Sequence, residues 1–182
     1  MKLVLLLVKA LLLSGIQPEA PMYWEDFTAE KRESILERVD PLVSDYYGGR
    51  FNASDDERTE NLLNLLTSQK KDKDCKALYL SVFNRILLLS DGALAEMLGP
   101  YTIKMVCEEP EYILTYLRKN KMVEEEYIHF IGTEIFLSKG LSSDEVSSLE
   151  ALKKSIFSKT KDKGLVEPFL RRIESFISTL KE

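Results

Sequence analysis

The chain predicts an all-α protein, and three observations predict it. From Thr28 onward apolar residues recur at spacings of three and four, the period of a single helical face. Capping residues and breakers punctuate those runs at intervals that suit helices rather than strands. No stretch beyond a few residues alternates with period two, and no Asn-Gly or Asp-Gly turn joins two alternating runs. Eight Gly and six Pro in 182 residues are also too few for a turn-dense β chain. The expected architecture is an irregular helical bundle or a short αα-hairpin (HEAT/TPR-like) array of about seven to nine helices. Helices recurring about every twenty residues from Ser54 to Lys181 suit the array, but no signature residue repeats with them.

Each element has a local reason. Thr28 caps a helix from Ala29 to about Val39, with Ile35, Leu36 and Val39 on its apolar face. Asp40-Pro41 supplies a fresh cap and first helical position for a shorter piece through Tyr46-Tyr47, which Gly48-Gly49 ends. Ser54 to Glu57 reads as a capping box before a helix with Leu62, Leu63, Leu65 and Leu66 as its buried stripe. After the charged linker Lys70 to Asp74 comes the most apolar helix, Asp74 to Leu89, expected at the centre of the fold. Asp91-Gly92 breaks it. A short helix from Ala93 to Leu98 should end at Gly99-Pro100, with another from Tyr101 to Cys107.

Pro110 opens the next helix, with Glu108, Glu109 and Glu111 at its positive end and Ile113, Leu114 and Leu117 facing inward. Val123 to Lys139 repeats the design, with Glu124 to Glu126 in its first turn and Gly140 beyond its end. A second capping box, Ser142 to Glu145, opens a helix through about Phe157. Lys159 to Gly164 is a polar turn, and Pro168 opens a last helix whose apolar residues run from Phe169 to Leu180.

The first twenty residues stand apart. Lys2 is followed by an apolar run from Leu3 to Leu13, interrupted only by Lys9, and then by Ser14-Gly15 and Ala20. A positive start, an apolar core and small exit residues form the pattern of a secretory signal, which makes 1–20 a signal peptide and 21–182 a single helical domain in the periplasm or outside the cell. The run is too short to span a bilayer, since eleven helical residues rise about 16 Å against about 30 Å of hydrocarbon. The alternative makes Leu3 to Leu13 a core helix of a cytoplasmic protein. In an exported chain Cys75 and Cys107 can form one disulfide pinning two helices; otherwise they are buried free thiols.

Charge and composition exclude several functions. The formal charge is −5, and loss of residues 1–20 removes Lys2, Lys9 and Glu19, leaving 23 basic against 29 acidic residues. Such a balance disfavours a nucleic-acid partner and suits a basic protein. His129 is the only histidine. Glu126 and His129 have the Glu-x-x-His spacing of a di-metal helix, but that chemistry needs a second copy, so no metal site and no cofactor are expected. The same scarcity leaves only Cys75 or Cys107 with His129 as a nucleophilic pair. Carboxylate pairs such as Glu108 with Glu111, or those among Glu124 to Glu126, are explained as first-turn helix acids. Lys153, Lys154, Lys159, Lys161, Lys163, Arg171 and Arg172 form a basic cluster best read as a solvated turn.

Two aromatic stretches are the most unusual segments. Tyr23, Trp24 and Phe27 follow the signal-like run, and Tyr46, Tyr47, Arg50 and Phe51 surround Gly48-Gly49. Exposed, they would anchor a partner; packed, they would fasten the chain's start to the bundle. The functional expectation is a non-enzymatic exported protein that binds another protein, as an inhibitor, an immunity-type neutraliser or an envelope assembly factor. The alternatives are a cytoplasmic adaptor and a carboxylate-based hydrolase.

Overall fold

A computed structural model describes residues 21–68, 72–138 and 148–181. The signal-like run, the Ser142 capping box and Gly140 lie outside them. Among the described residues the fold is all-α: one 3-10 turn (Trp24–Asp26) and nine α-helices, with no strand. The helices are α1 (Ala29–Leu36), α2 (Pro41–Tyr47), α3 (Glu57–Leu66), α4 (Lys73–Leu89), α5 (Gly92–Glu108), α6 (Pro110–Lys119), α7 (Lys121–Leu137), α8 (Leu149–Lys159) and α9 (Lys163–Thr179). None is long and apolar enough to cross a membrane.

Most helix starts have their cap in place. The Thr28 hydroxyl accepts from Lys31 N, and the Asp40 carboxylate accepts from Leu42 N with Pro41 next to it. Asp72 accepts from the amides of both Asp74 and Cys75, and Ser148 accepts from Ala151 N. α1 stops three residues short of Val39 because Asp40, preceding a proline, takes an extended ψ of 134°. At α3 the cap is Asp56, not Ser54: Asp56 accepts from Thr59 N at 2.7 Å, and the Ser54 hydroxyl donates to that same carboxylate at 2.8 Å.

Two prolines expected to bound helices lie inside them. α5 runs unbroken through Gly99-Pro100. A proline ring normally clashes with the Cβ of the residue before it, and Gly99 has none. Burial of Leu94, Leu98, Thr102, Ile103 and Val106 along one face then holds both halves in a single line. α9 likewise begins at Lys163, where Asp162 caps Leu165 N at 3.1 Å. Pro168 falls within its second turn and removes a single backbone donor.

The centre of the bundle is α7 rather than α4. α7 packs on α4, α5, α6 and α9, and buries Tyr127, Ile128, Phe130, Ile131 and Ile135. α4 meets α2, α3, α7 and the 3-10 turn, and its last two residues, Leu88 and Leu89, project outward. The α4–α7 and α5–α8 contacts each join helices three apart in the chain, within the all-α bundle or array that the sequence predicts.

Two glycines set how closely the central helices approach. A methyl group on Gly99 of α5 would stand 2.8 Å from Glu134 Cβ on α7. A methyl group on Gly132 of α7 would run into the Phe176 ring on α9. Both helix pairs are therefore drawn together at positions without side chains.

Candidate interaction surface

The aromatic stretches are packed rather than presented. Tyr23, Trp24, Phe27 and Tyr46 are buried, and Tyr47 and Phe51 are half-buried. The Trp24 indole donates to the Tyr47 hydroxyl at 3.0 Å and meets the Tyr47 and Phe27 rings edge-on. Arg32 donates to the Trp24 carbonyl at 3.1 Å and stands over the indole. Tyr23 lies against Tyr112 and Tyr116 of α6, with ring centroids 5.1 and 4.9 Å away. The Tyr112 hydroxyl returns a hydrogen bond to the Met22 carbonyl at 2.9 Å. Burial, then the Asp26 carboxylate and the Tyr116 phenol, push Tyr23 up to about 12. Tyr46 and Phe51 meet edge-on under Arg85 and Arg58, while exposed Arg50 pairs with Asp45. These residues fasten 22–27 onto α2, α4 and α6.

Cys75 and Cys107 are free and buried. Burial pushes the Cys75 thiol up to about 11, helped by its hydrogen bond to Asp72 and that carboxylate's charge. Burial also raises Cys107, which stands near Ser155 and Lys159. Neither thiol is placed to ionise as a nucleophile would need to. His129 is exposed on α7, against the rings of Phe130 and Phe176. Among the described residues no group of three or more His, Cys, Asp or Glu side chains is arranged to hold a metal ion. The basic cluster is partly neutralised: Lys159 pairs with Glu108 at 2.9 Å, and Arg172 pairs with Glu124 at 2.6 Å and also with Glu125. Lys153 and Arg171 share a shallow groove with Glu150, Glu167 and Glu174, a mixed-charge surface.

Two further grooves among the described residues are lined by a mixture of apolar and charged side chains. The first, about 370 Å³, lies between α5 and α7 and is lined by Ala95, Glu96, Gly99, His129, Phe130, Thr133, Glu134 and Leu137. Leu137 is 65 % exposed at its edge. Glu96 is exposed, and Glu134 accepts from the Ser138 hydroxyl at 2.6 Å. Neither carboxylate has a cationic partner among the described residues. An apolar bay flanked by two unpaired carboxylates can take an apolar side chain beside an ammonium or guanidinium group.

The second groove, about 270 Å³, lies at the C-terminal end of α4 and is lined by Glu25, Ser81, Asn84, Arg85, Leu88, Leu89, Tyr116 and Val123. Beneath it Asn84 accepts from the buried Tyr127 hydroxyl at 3.0 Å, while its own Nδ2 lacks a hydrogen-bond partner. Burial, then the Glu25 carboxylate, raise the Tyr116 phenol above its ordinary value. Expecting the whole helix to Leu89 at the centre of the fold hid this groove in the sequence. The lack of a facing element at Leu88 and Leu89 is a tertiary fact that the helical period does not record.

No protein-family model, curated protein or solved structure matches the chain.

Proposed function

We propose that the chain is a non-enzymatic, exported helical protein that binds another protein, and that the α5–α7 groove receives a basic amphipathic segment of its partner. The observation that supports this reading is the pairing of Glu96 and Glu134, both without a cation among the described residues, with the apolar bay of Ala95, Phe130 and Leu137. Such a surface suits the role of an inhibitor, an immunity-type neutraliser or an envelope assembly factor. Complementary charge speeds encounter and selects the partner, and apolar contact holds it.

A fluorescent Leu/Lys amphipathic helical peptide tests the groove, with a Leu/Glu peptide of equal length as control. Anisotropy should rise only with the basic peptide and fall with added salt. Glu96→Lys and Leu137→Ser should each weaken that binding about tenfold, in line with the loss of one interface anchor. Equal binding of the two peptides, or variants that bind like the parent, would remove the proposal.

A cytoplasmic adaptor is the second reading. The free state of both buried thiols favours it, because a reducing compartment keeps thiols in that state. N-terminal sequencing of the native protein separates the two compartments: cleavage near residue 20 supports export, and an intact Met1 supports the adaptor.

A further inference from the structure

The groove at the end of α4 is unlike the acidic one, because both signs of charge sit on it unmatched. Glu25 and Arg85 line the same groove, both are exposed, and neither has an ion-pair partner among the described residues. Arg85 is held in place by the Tyr47 carbonyl, at 3.5 Å, and by the Tyr46 ring, 5.7 Å from the guanidinium carbon. Beside them Leu89 is 67 % exposed and Leu88 is 38 % exposed, next to a hollow bounded by Tyr116 and Val123. Met122, the neighbour of Val123, is 71 % exposed. Large apolar side chains standing free beside an apolar hollow mark a surface that is covered in use.

We propose that a second copy of this chain covers it, through a two-fold contact centred on the C-terminal end of α4. A partner surface of one sign would satisfy one of the two charges and repel the other. A second copy related by a two-fold axis satisfies both, since Glu25 of each copy then faces Arg85 of the other. The same operation sets Leu89 of each copy against the hollow of its mate, so the patch is self-complementary in shape as well as in charge. This contact does not involve the α5–α7 groove and stands or falls separately from it.

Sedimentation velocity of the full chain over a range of concentrations tests the contact. The wild-type protein should show a concentration-dependent monomer–dimer equilibrium. Glu25→Arg and Arg85→Glu should each weaken it about tenfold or more, because one reversal turns two attractive pairs into two repulsive ones. An equimolar mixture of the two variants should dimerise again, since both charge pairs in the mixed dimer are then opposite. Leu89→Asp should dissociate the dimer without touching either charge, which keeps the test decisive if Arg85→Glu loses its fold. A wild-type protein monomeric at every concentration overturns the proposal, as does a mixture that associates no better than its components.

Discussion

Gly99→Ala decides between two opposed physical effects. Helix propensity alone says that alanine in a helix interior gains about 1 kcal/mol over glycine. The structure says the reverse, because the new methyl would lie 2.5 Å from Glu134 Oε2 and 2.8 Å from Glu134 Cβ, where ordinary contact begins near 3.4 Å. The oxygen can swing away. The Cβ cannot, because it is fixed to the α7 backbone between buried Ile131 and Ile135. Relieving the clash therefore means moving α5 away from the central helix, an overpacking cost of about 1–3 kcal/mol. Restoring a Cβ before Pro100 adds the clash that glycine avoids. The net expectation is a loss of about 1–2 kcal/mol, or about 2–8 °C in melting temperature for a domain of this size. Urea and thermal unfolding by circular dichroism read it directly. A variant as stable as the parent, or more stable, would refute the close approach of α5 and α7.

Gly132→Ala should destabilise by a similar amount, about 1–3 kcal/mol, through Phe176, and Phe176→Leu in the same chain should recover part of the loss. Tyr127→Phe should cost about 1–2 kcal/mol in urea unfolding, because it leaves the Asn84 carboxamide with neither of its polar atoms bonded. The Asp72 carboxyl is lowered by the Cys75 amide and thiol, so its contribution is full above the unfolded carboxylate pKa and is lost as pH falls through the folded one. In urea midpoints measured against pH, Asp72→Asn should therefore lose less stability than the parent on acidification below about pH 4. A thiol reagent should titrate both Cys75 and Cys107 in the unfolded protein and react slowly with the native one; an unfolded protein with no reactive thiol would mean a bridge.

The helix starts at Thr28 and Asp40-Pro41 were legible because a cap is local chemistry, completed within three residues, and the start at Pro110 because proline suits the first helical position. The interruptions expected at Gly99-Pro100 and before Pro168 did not occur, since packing along a whole helical face outweighs one missing backbone donor. The aromatic stretches stayed ambiguous for a different reason. The groups that bury Tyr23 and bond the Met22 carbonyl belong to Tyr112 and Tyr116, some ninety residues further along the chain. Nothing near Tyr23 in sequence records whether such partners exist. The grooves were hidden for the same reason, because each is assembled from helices that meet only in the folded chain.

Charge is where sequence and structure together say more than either alone. A net charge of −5 describes the whole chain and singles out no face of it. In the fold many of the acids are already committed: Asp40, Asp56, Asp72 and Asp162 cap helices, while Asp45, Asp74, Glu108, Glu109, Glu124 and Glu125 pair with cations. Lack of a partner is not enough to distinguish the others, since Glu33 on α1 and Glu37 just past its end also lack a cation among the described residues and simply face water. What sets Glu96 and Glu134 apart is the apolar bay between them, where a partner's apolar contact would exclude water and strengthen the attraction of the two carboxylates for a cation. The groove at the end of α4 follows the opposite rule, with one charge of each sign beside exposed leucines. One surface is therefore suited to a basic partner and the other to a copy of itself, so charge reversal at Glu96 and at Glu25 should affect different complexes.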